Sequence, residues 1–236
     1  MAMAGAHMAK KIYASRDELT QALADAVCAT LSAAIGERGR ASLAVSGGTT
    51  PQPLFEALAS RELAWERVTV LLVDERWVSP DDPDANEHLV RTSLLQGRAA
   101  AASFMGMKTE AADPRAAEEA CSERFYPFFP LDLILLGMGG DGHTASLFPG
   151  AARLDKALAG ENEKICMAIT PPAASHKRMS LTLAALLKSR ALVVHIVGNE
   201  KKSVLDQALA PGPVQDMPIR AIFRQSRVPV TIFWAP

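Results

Sequence analysis

The sequence predicts an α/β fold: a mostly parallel sheet with helices on both faces. Two observations carry that prediction. Apolar runs at 41–45, 68–78, 131–136, 164–169, 191–197 and 228–234 have strand length, and helix-patterned stretches alternate with them. Three polar, glycine- or charge-bearing segments (SGGTTP, DERWV and GMGGDGH) each stand where such a run ends. In open α/β sheets, ligands bind outside the carboxyl ends of the strands, so all three fall where a ligand belongs.

Taken in order, the opening MAMAGAHMAKK lacks the apolar core of a signal peptide. Residues 1–10, with His7, are therefore set apart as a vector-derived leader, and 11–236 are read as one domain. Ser15 with Glu18 forms a capping-box start, Leu19, Leu23, Ala26, Val27, Thr30 and Leu31 follow at helical spacing, and Gly36 is taken as the stop. Residues 41–51 read as strand, glycine turn and helix start, with Pro51 in the first turn and Leu54, Phe55 and Leu58 facing inward. The run 68–78 reads as one strand delivering Asp74, Glu75 and Arg76 at its end. A polar loop, SPDDPDANEH, leads to a helix through Leu89, Leu94 and Leu95, and 114–127 form another. Beyond the strand at 131–136, helices are expected near 181–187 and 201–209. No internal repeat or low-complexity linker divides the chain.

Composition excludes several classes of function. The 25 basic and 26 acidic residues are interspersed and leave a net charge of −1, which argues against nucleic-acid or anionic-membrane partners. No apolar run is read as approaching the ~18 residues of a membrane span. Cys28, Cys121 and Cys166 are distant in sequence, odd in number and set among apolar residues, so core thiols in a reducing, cytoplasmic setting are expected. No His or Cys pair has metal-ligand spacing, so no metal site is proposed.

The stretch LDLILLGMGGDGHTASLFPG, residues 131–150, concentrates the chemistry. Glycines permit close backbone approach to a ligand, and Gly139, Gly140 and Asp141 lead to His143, the best-placed general base in the chain. Gly137-x-Gly139-x-x-Gly142 spells a dinucleotide fingerprint, but it lies mid-chain and no acidic residue ends the next strand, so nucleotide binding is disfavoured. Ser46, Gly47, Gly48 and Thr49 offer hydroxyls and backbone N–H groups before a helix; a phosphate cradle and a plain tight turn both fit. Strand alternation sends Asp74 and Arg76 to one side, where Arg76 could hold an anion, and leaves Glu75 on the other as a solvated loop residue. His195 is read as a satisfied core residue, and Arg178 and Lys201, taken singly, as surface cations.

Together SGGTTP, LLVDERWV with DPDAN, and LLGMGGDGHTASLFPG resemble the 6-phosphogluconolactonase family, a sister of the glucosamine-6-phosphate isomerases (deaminases), in order and spacing over nearly the whole chain. The resemblance implies a modified Rossmann-like, doubly wound fold. It also implies hydrolysis of 6-phospho-D-glucono-1,5-lactone to 6-phosphogluconate in the oxidative pentose phosphate pathway, without metal or organic cofactor. By matching position it makes His143 catalytic, with Asp141 in the same motif, puts Arg76 and Asp74 beside it, and gives Ser46 to Thr49, Arg178 and Lys201 to the sugar phosphate. Where the isomerases carry a glutamate, this chain has Phe148, which cannot transfer a proton, so isomerase activity is disfavoured. A non-catalytic sugar-phosphate sensor is the other rival, and no output domain is visible before residue 41 or after 220.

Overall fold

The computed structural model describes residues 8–173 and 175–236. Its strands are β1 (Met8–Ile12), β2 (Ala41–Val45), β3 (Val68–Leu72), β4 (Asp74–Arg76), β5 (Ser103–Met105), β6 (Leu133–Leu136), β7 (Cys166–Ile169), β8 (Arg178–Leu181), β9 (Leu192–Val197) and β10 (Val230–Ala235). The α-helices are α1 (Arg16–Arg38), α2 (Gln52–Ala59), α3 (Asn86–Leu89), α4 (Glu118–Phe125), α5 (Leu154–Leu158), α6 (Leu183–Leu186), α7 (Asn199–Leu209) and α8 (Ile219–Arg224).

Seven strands form one sheet in the order β1-β10-β9-β6-β2-β3-β5. All six pairings are parallel, as the alternation of apolar runs and helices predicts. Every residue of β2 and β6 is buried, so both faces of the sheet centre are covered. The chain winds from β2 outward through β3 to β5, then returns to the other side of β2 as β6 and continues through β9 to β10. The winding reverses between β2 and β6, which opens a crevice at their carboxyl ends, and the segments after them carry Ser46 and His143.

The run 68–78 is not one strand. Val73 donates its N–H to Val45 in the large sheet and accepts from the N–H of Leu181, so the chain changes sheets at this residue. Asp74–Arg76 becomes the edge of a three-stranded antiparallel sheet, β4-β8-β7. The stretch near 181–187 also divides: Leu181 ends β8, and Thr182 caps α6 by accepting the Ala185 N–H at 3.2 Å.

Three further expectations are corrected. Residues 8–10, set apart as leader, belong to β1, an exposed edge strand whose Lys10 and Lys11 discourage edge-to-edge pairing; His7 lies outside the described residues. Gly36 does not end α1, which runs to Arg38 and is closed by Gly39 in the left-handed region at φ 75°. Finally, α1 is, by length and composition, apolar enough to cross a membrane, at a hydropathy of 1.3. That value owes much to alanine. The helix packs Leu19, Leu23, Val27 and Leu31 into the core, and its Ser15 cap forms as expected.

Sequence-distant cysteines also meet. Cys121 of α4 and Cys166 of β7 are buried free thiols with sulfurs 3.0 Å apart.

Candidate active site

The crevice at the winding reversal is a cavity of about 400 Å³. The segments after β2, β3 and β6 all reach it, together with the start of β8 and the first turn of α7. Ser46, Gly47, Gly48, Thr49, Asp74, Arg76, Gly139, His143, Arg178 and Lys201, all singled out in the sequence, line it. Gly140 and Asp141 do not; both are exposed in the turn beside it.

His143 is held from two sides. Its Nδ1 lies 2.6 Å from Asp141 Oδ1, and the same carboxylate oxygen accepts the His143 backbone N–H at 3.0 Å. An imidazole that donates from Nδ1 to Asp141 keeps its Nε2 lone pair for accepting a proton. Burial alone would raise the Asp141 carboxyl, but the hydrogen bonds it accepts from the His143 ring and backbone N–H bring it down to about 2. Phe148 packs on the other side, with ring centroids 4.2 Å apart. Gly139 is required by this packing, since a Cβ there would collide with the His143 ring.

Asp74 and Arg76 share the cavity side of β4 as alternation predicts. Ser146 donates to Asp74 Oδ2 at 2.5 Å, and the Asn86 amide donates to the Asp74 carbonyl at 2.8 Å. Burial raises the Asp74 carboxyl against the lowering influence of Ser146, Arg178, His143 and Arg76. The Arg76 guanidinium is tied to the following loop, donating to the Asp84 carbonyl at 2.6 Å.

Glu75 overturns its expected place in solvent. It is 1% exposed and accepts backbone N–H bonds from Arg76, Asn86 and Glu87, each at 2.7 Å. Burial pushes its carboxyl up to about 7 despite those bonds.

Three cations, Arg76, Arg178 and Lys201, line the cavity. Arg76 and Arg178 are direct partners across the antiparallel β4–β8 pair, a like-charge opposition that costs stability unless an anion lies between or beside them. Arg178 is 8% exposed, and its Nη1 has no hydrogen-bond partner among the described residues. Burial and then the charge of Arg76 lower its pKa. Lys201 donates to the Met138 carbonyl at 2.8 Å, and burial lowers its pKa too. Buried Ser46 Oγ likewise lacks a partner among the described residues. Unspent donors beside two opposed guanidiniums suit an anion, and the SGGTTP loop that carries one of them fits a phosphate cradle.

Sequence reasoning missed Ser146 and the side chain of Asn86, both of which contact Asp74 through the folded chain. No local signal marks Ser146. Asn86 had one, as the last residue of DPDAN, but only the fold brings it to Asp74 and to Gly47, where a Cβ would collide with its amide. His195 is buried as expected but not satisfied: neither ring nitrogen has a partner among the described residues, and it lines the cavity. Among those residues, no three His, Cys, Asp or Glu side chains converge in a metal-binding group.

Comparison with known proteins agrees with this fold. A family described as glucosamine-6-phosphate isomerases/6-phosphogluconolactonase matches residues 14–234. A 6-phosphogluconolactonase from Rhizobium meliloti (strain 1021) is 45% identical over 95% of this chain and 97% of its own. The crystal structure of a 6-phosphogluconolactonase from Shewanella baltica OS155 superposes with a TM-score of 0.94 at 41% identity, covering 97% of this chain and 98% of that one. A monomeric glucosamine-6-phosphate deaminase shares the fold, with a TM-score of 0.80 at 19% identity over 97% of each chain. With the match spanning nearly the whole chain, this protein belongs to the glucosamine-6-phosphate isomerase/6-phosphogluconolactonase family.

Proposed function

We propose that the protein hydrolyses 6-phospho-D-glucono-1,5-lactone to 6-phospho-D-gluconate, the lactone-opening step of the oxidative pentose phosphate pathway. One observation supports this above the others. A histidine oriented through Nδ1 by Asp141 shares a cavity with three cations and a hydroxyl-bearing loop. The cations Arg76, Arg178 and Lys201, with Ser46 to Thr49, suit a phosphate and an oxyanion, while His143 suits a water.

In this reading Nε2 of neutral His143 takes a proton from water as the water oxygen bonds to C1. The C1 carbonyl becomes an oxyanion, which Arg76 or loop N–H groups stabilise. C1–O5 then breaks, O5 takes the proton from His143, and the new carboxylic acid ionises. A lactone is already an activated ester, so a base and a positive group suffice and no covalent intermediate is needed. Phe148 supports this reaction over ring-opening isomerisation, because the residue packed on His143 has no proton to give. Cytoplasmic residence suits the free thiols Cys28, Cys121 and Cys166.

The test is proton release from freshly generated lactone with and without protein, with glucosamine 6-phosphate offered separately. Acceleration above spontaneous hydrolysis, without formation of fructose 6-phosphate from the amino sugar, is expected. Amino-sugar conversion without lactone hydrolysis would assign the chain to the sister reaction, and binding without either would make it a sensor.

A further inference from the structure

His195 is the residue of the cavity that the reaction above does not use. It lies in β9 among Val193, Val194 and Ile196, is 6% exposed, and neither ring nitrogen has a hydrogen-bond partner among the described residues. Burial holds the ring neutral, with a pKa near 4. A buried imidazole with both nitrogens unpaired costs stability that a valine or leucine at this strand position would not. The fold therefore has no use for its polarity, and the cavity it lines is where that polarity can act.

Its surroundings define the partner. Leu136 of β6 pairs with Val194, so His195 stands level with Gly137, one residue beyond the paired stretch. A Cβ on Gly137 would meet nothing within 4 Å, so space opens at the end of β6, where it turns into the His143 loop. A neutral imidazole offers one donor and one acceptor, which matches a hydroxyl group. It does not match a phosphate, which the three cations and the Ser46 loop suit better. Nor is it a second base in the manner of His143, because no carboxylate bonds to its ring.

We propose that His195 is a specificity-determining residue whose ring hydrogen-bonds one ring hydroxyl of the sugar lactone from the side of the cavity formed by β9. This rests on the lactonase reading above. The substrate carries three such hydroxyls, at C2, C3 and C4, so the test is hydrolysis of the full 6-phospholactone and its 2-, 3- and 4-deoxy analogues by wild type and His195→Leu. The variant is expected to lose about 10-fold in kcat/KM on the full substrate, the scale of one hydrogen bond, and nothing on the one analogue that lacks the contacted hydroxyl. It should melt no lower than wild type in the absence of ligand. His195→Val, matching its strand neighbours, serves the same purpose should the leucine overpack. Equal losses on all four lactones would make His195 a packing residue and overturn the proposal, as would no loss on any. Failure of the wild type to hydrolyse the parent lactone would overturn the lactonase reading and this proposal together, whereas a uniform pattern with an active wild type overturns this proposal alone.

Discussion

At the scale of single residues, the site separates orientation from binding. Asp141 holds His143 through both its ring and its backbone N–H, so Asp141→Asn should lower kcat roughly 10²-fold with KM little changed. That is less than the loss of about 10⁴ for a buried triad carboxylate, because Asp141 is half exposed. We propose that Arg178 serves binding: its Nη1, without a partner among the described residues, and its opposition to Arg76 suit an anion held alike before and during reaction. Arg178→Ala should therefore raise KM with kcat nearly preserved, as loss of uniform binding does. If kcat collapses at unchanged KM, Arg178 takes part in the chemistry.

At the scale of elements, the loop after β4 is organised from behind by Glu75. Helix α3 begins at Asn86, and its N-cap, Ala85, supplies no side-chain acceptor. The Glu75 carboxyl takes that role, accepting the N–H groups of Asn86 and Glu87, the first two of the helix. Asn86 in turn holds the Asp74 carbonyl and stands 3.3 Å from the Arg76 guanidinium. Glu75→Ala should leave three buried N–H groups unpaired and cost about 3 kcal/mol in urea unfolding. It should also reduce kcat, because Asp74 and Arg76 lose their support. A variant of undiminished stability would show that water replaces the carboxyl and that the cap is dispensable.

At the scale of the whole molecule, acid stability follows from ion pairs far from the site. Glu118, in α4, accepts from Arg153, from Lys164 at 2.7 Å and from the Ala168 N–H of β7 at 3.0 Å. Burial would raise its carboxyl, but those partners bring it down to about 2, below the usual 4.5. A carboxylate depressed on folding contributes stability that is complete above its unfolded pKa and is lost as pH falls toward its folded one. The stability gap between wild type and Glu118→Gln, about 3 kcal/mol at neutral pH for a broken buried pair, should therefore narrow as pH drops from 4.5 toward 2. Glu75 has the opposite sign. Raised from 4.5 to about 7, it stabilises most fully below pH 4.5 and loses that contribution as pH rises through 7.

Much of this molecule was legible in the sequence, because its parallel strands are continuous apolar runs and its site loops are short and local. Asp141 and His143 are two residues apart, and Ser46 to Thr49 are consecutive, so motif and geometry coincide. What escaped depends on distance along the chain. Glu75 reads as solvated until residues 85–87 fold over it, Ser146 reaches Asp74 only across the two sheets, and the change of sheet at Val73 is set by Val45 and Leu181. His195 shows the limit most plainly: an apolar strand predicts burial, not whether a buried ring finds a partner.

We propose for His143, oriented by Asp141, the role of the base that opens the lactone. It is tested most directly by kcat for lactone hydrolysis in His143→Ala, after subtraction of the spontaneous rate. A loss of roughly 10²–10⁴-fold, the scale of general acid–base catalysis, with sugar-phosphate binding retained, is the predicted result. Undiminished kcat in the folded variant would contradict it.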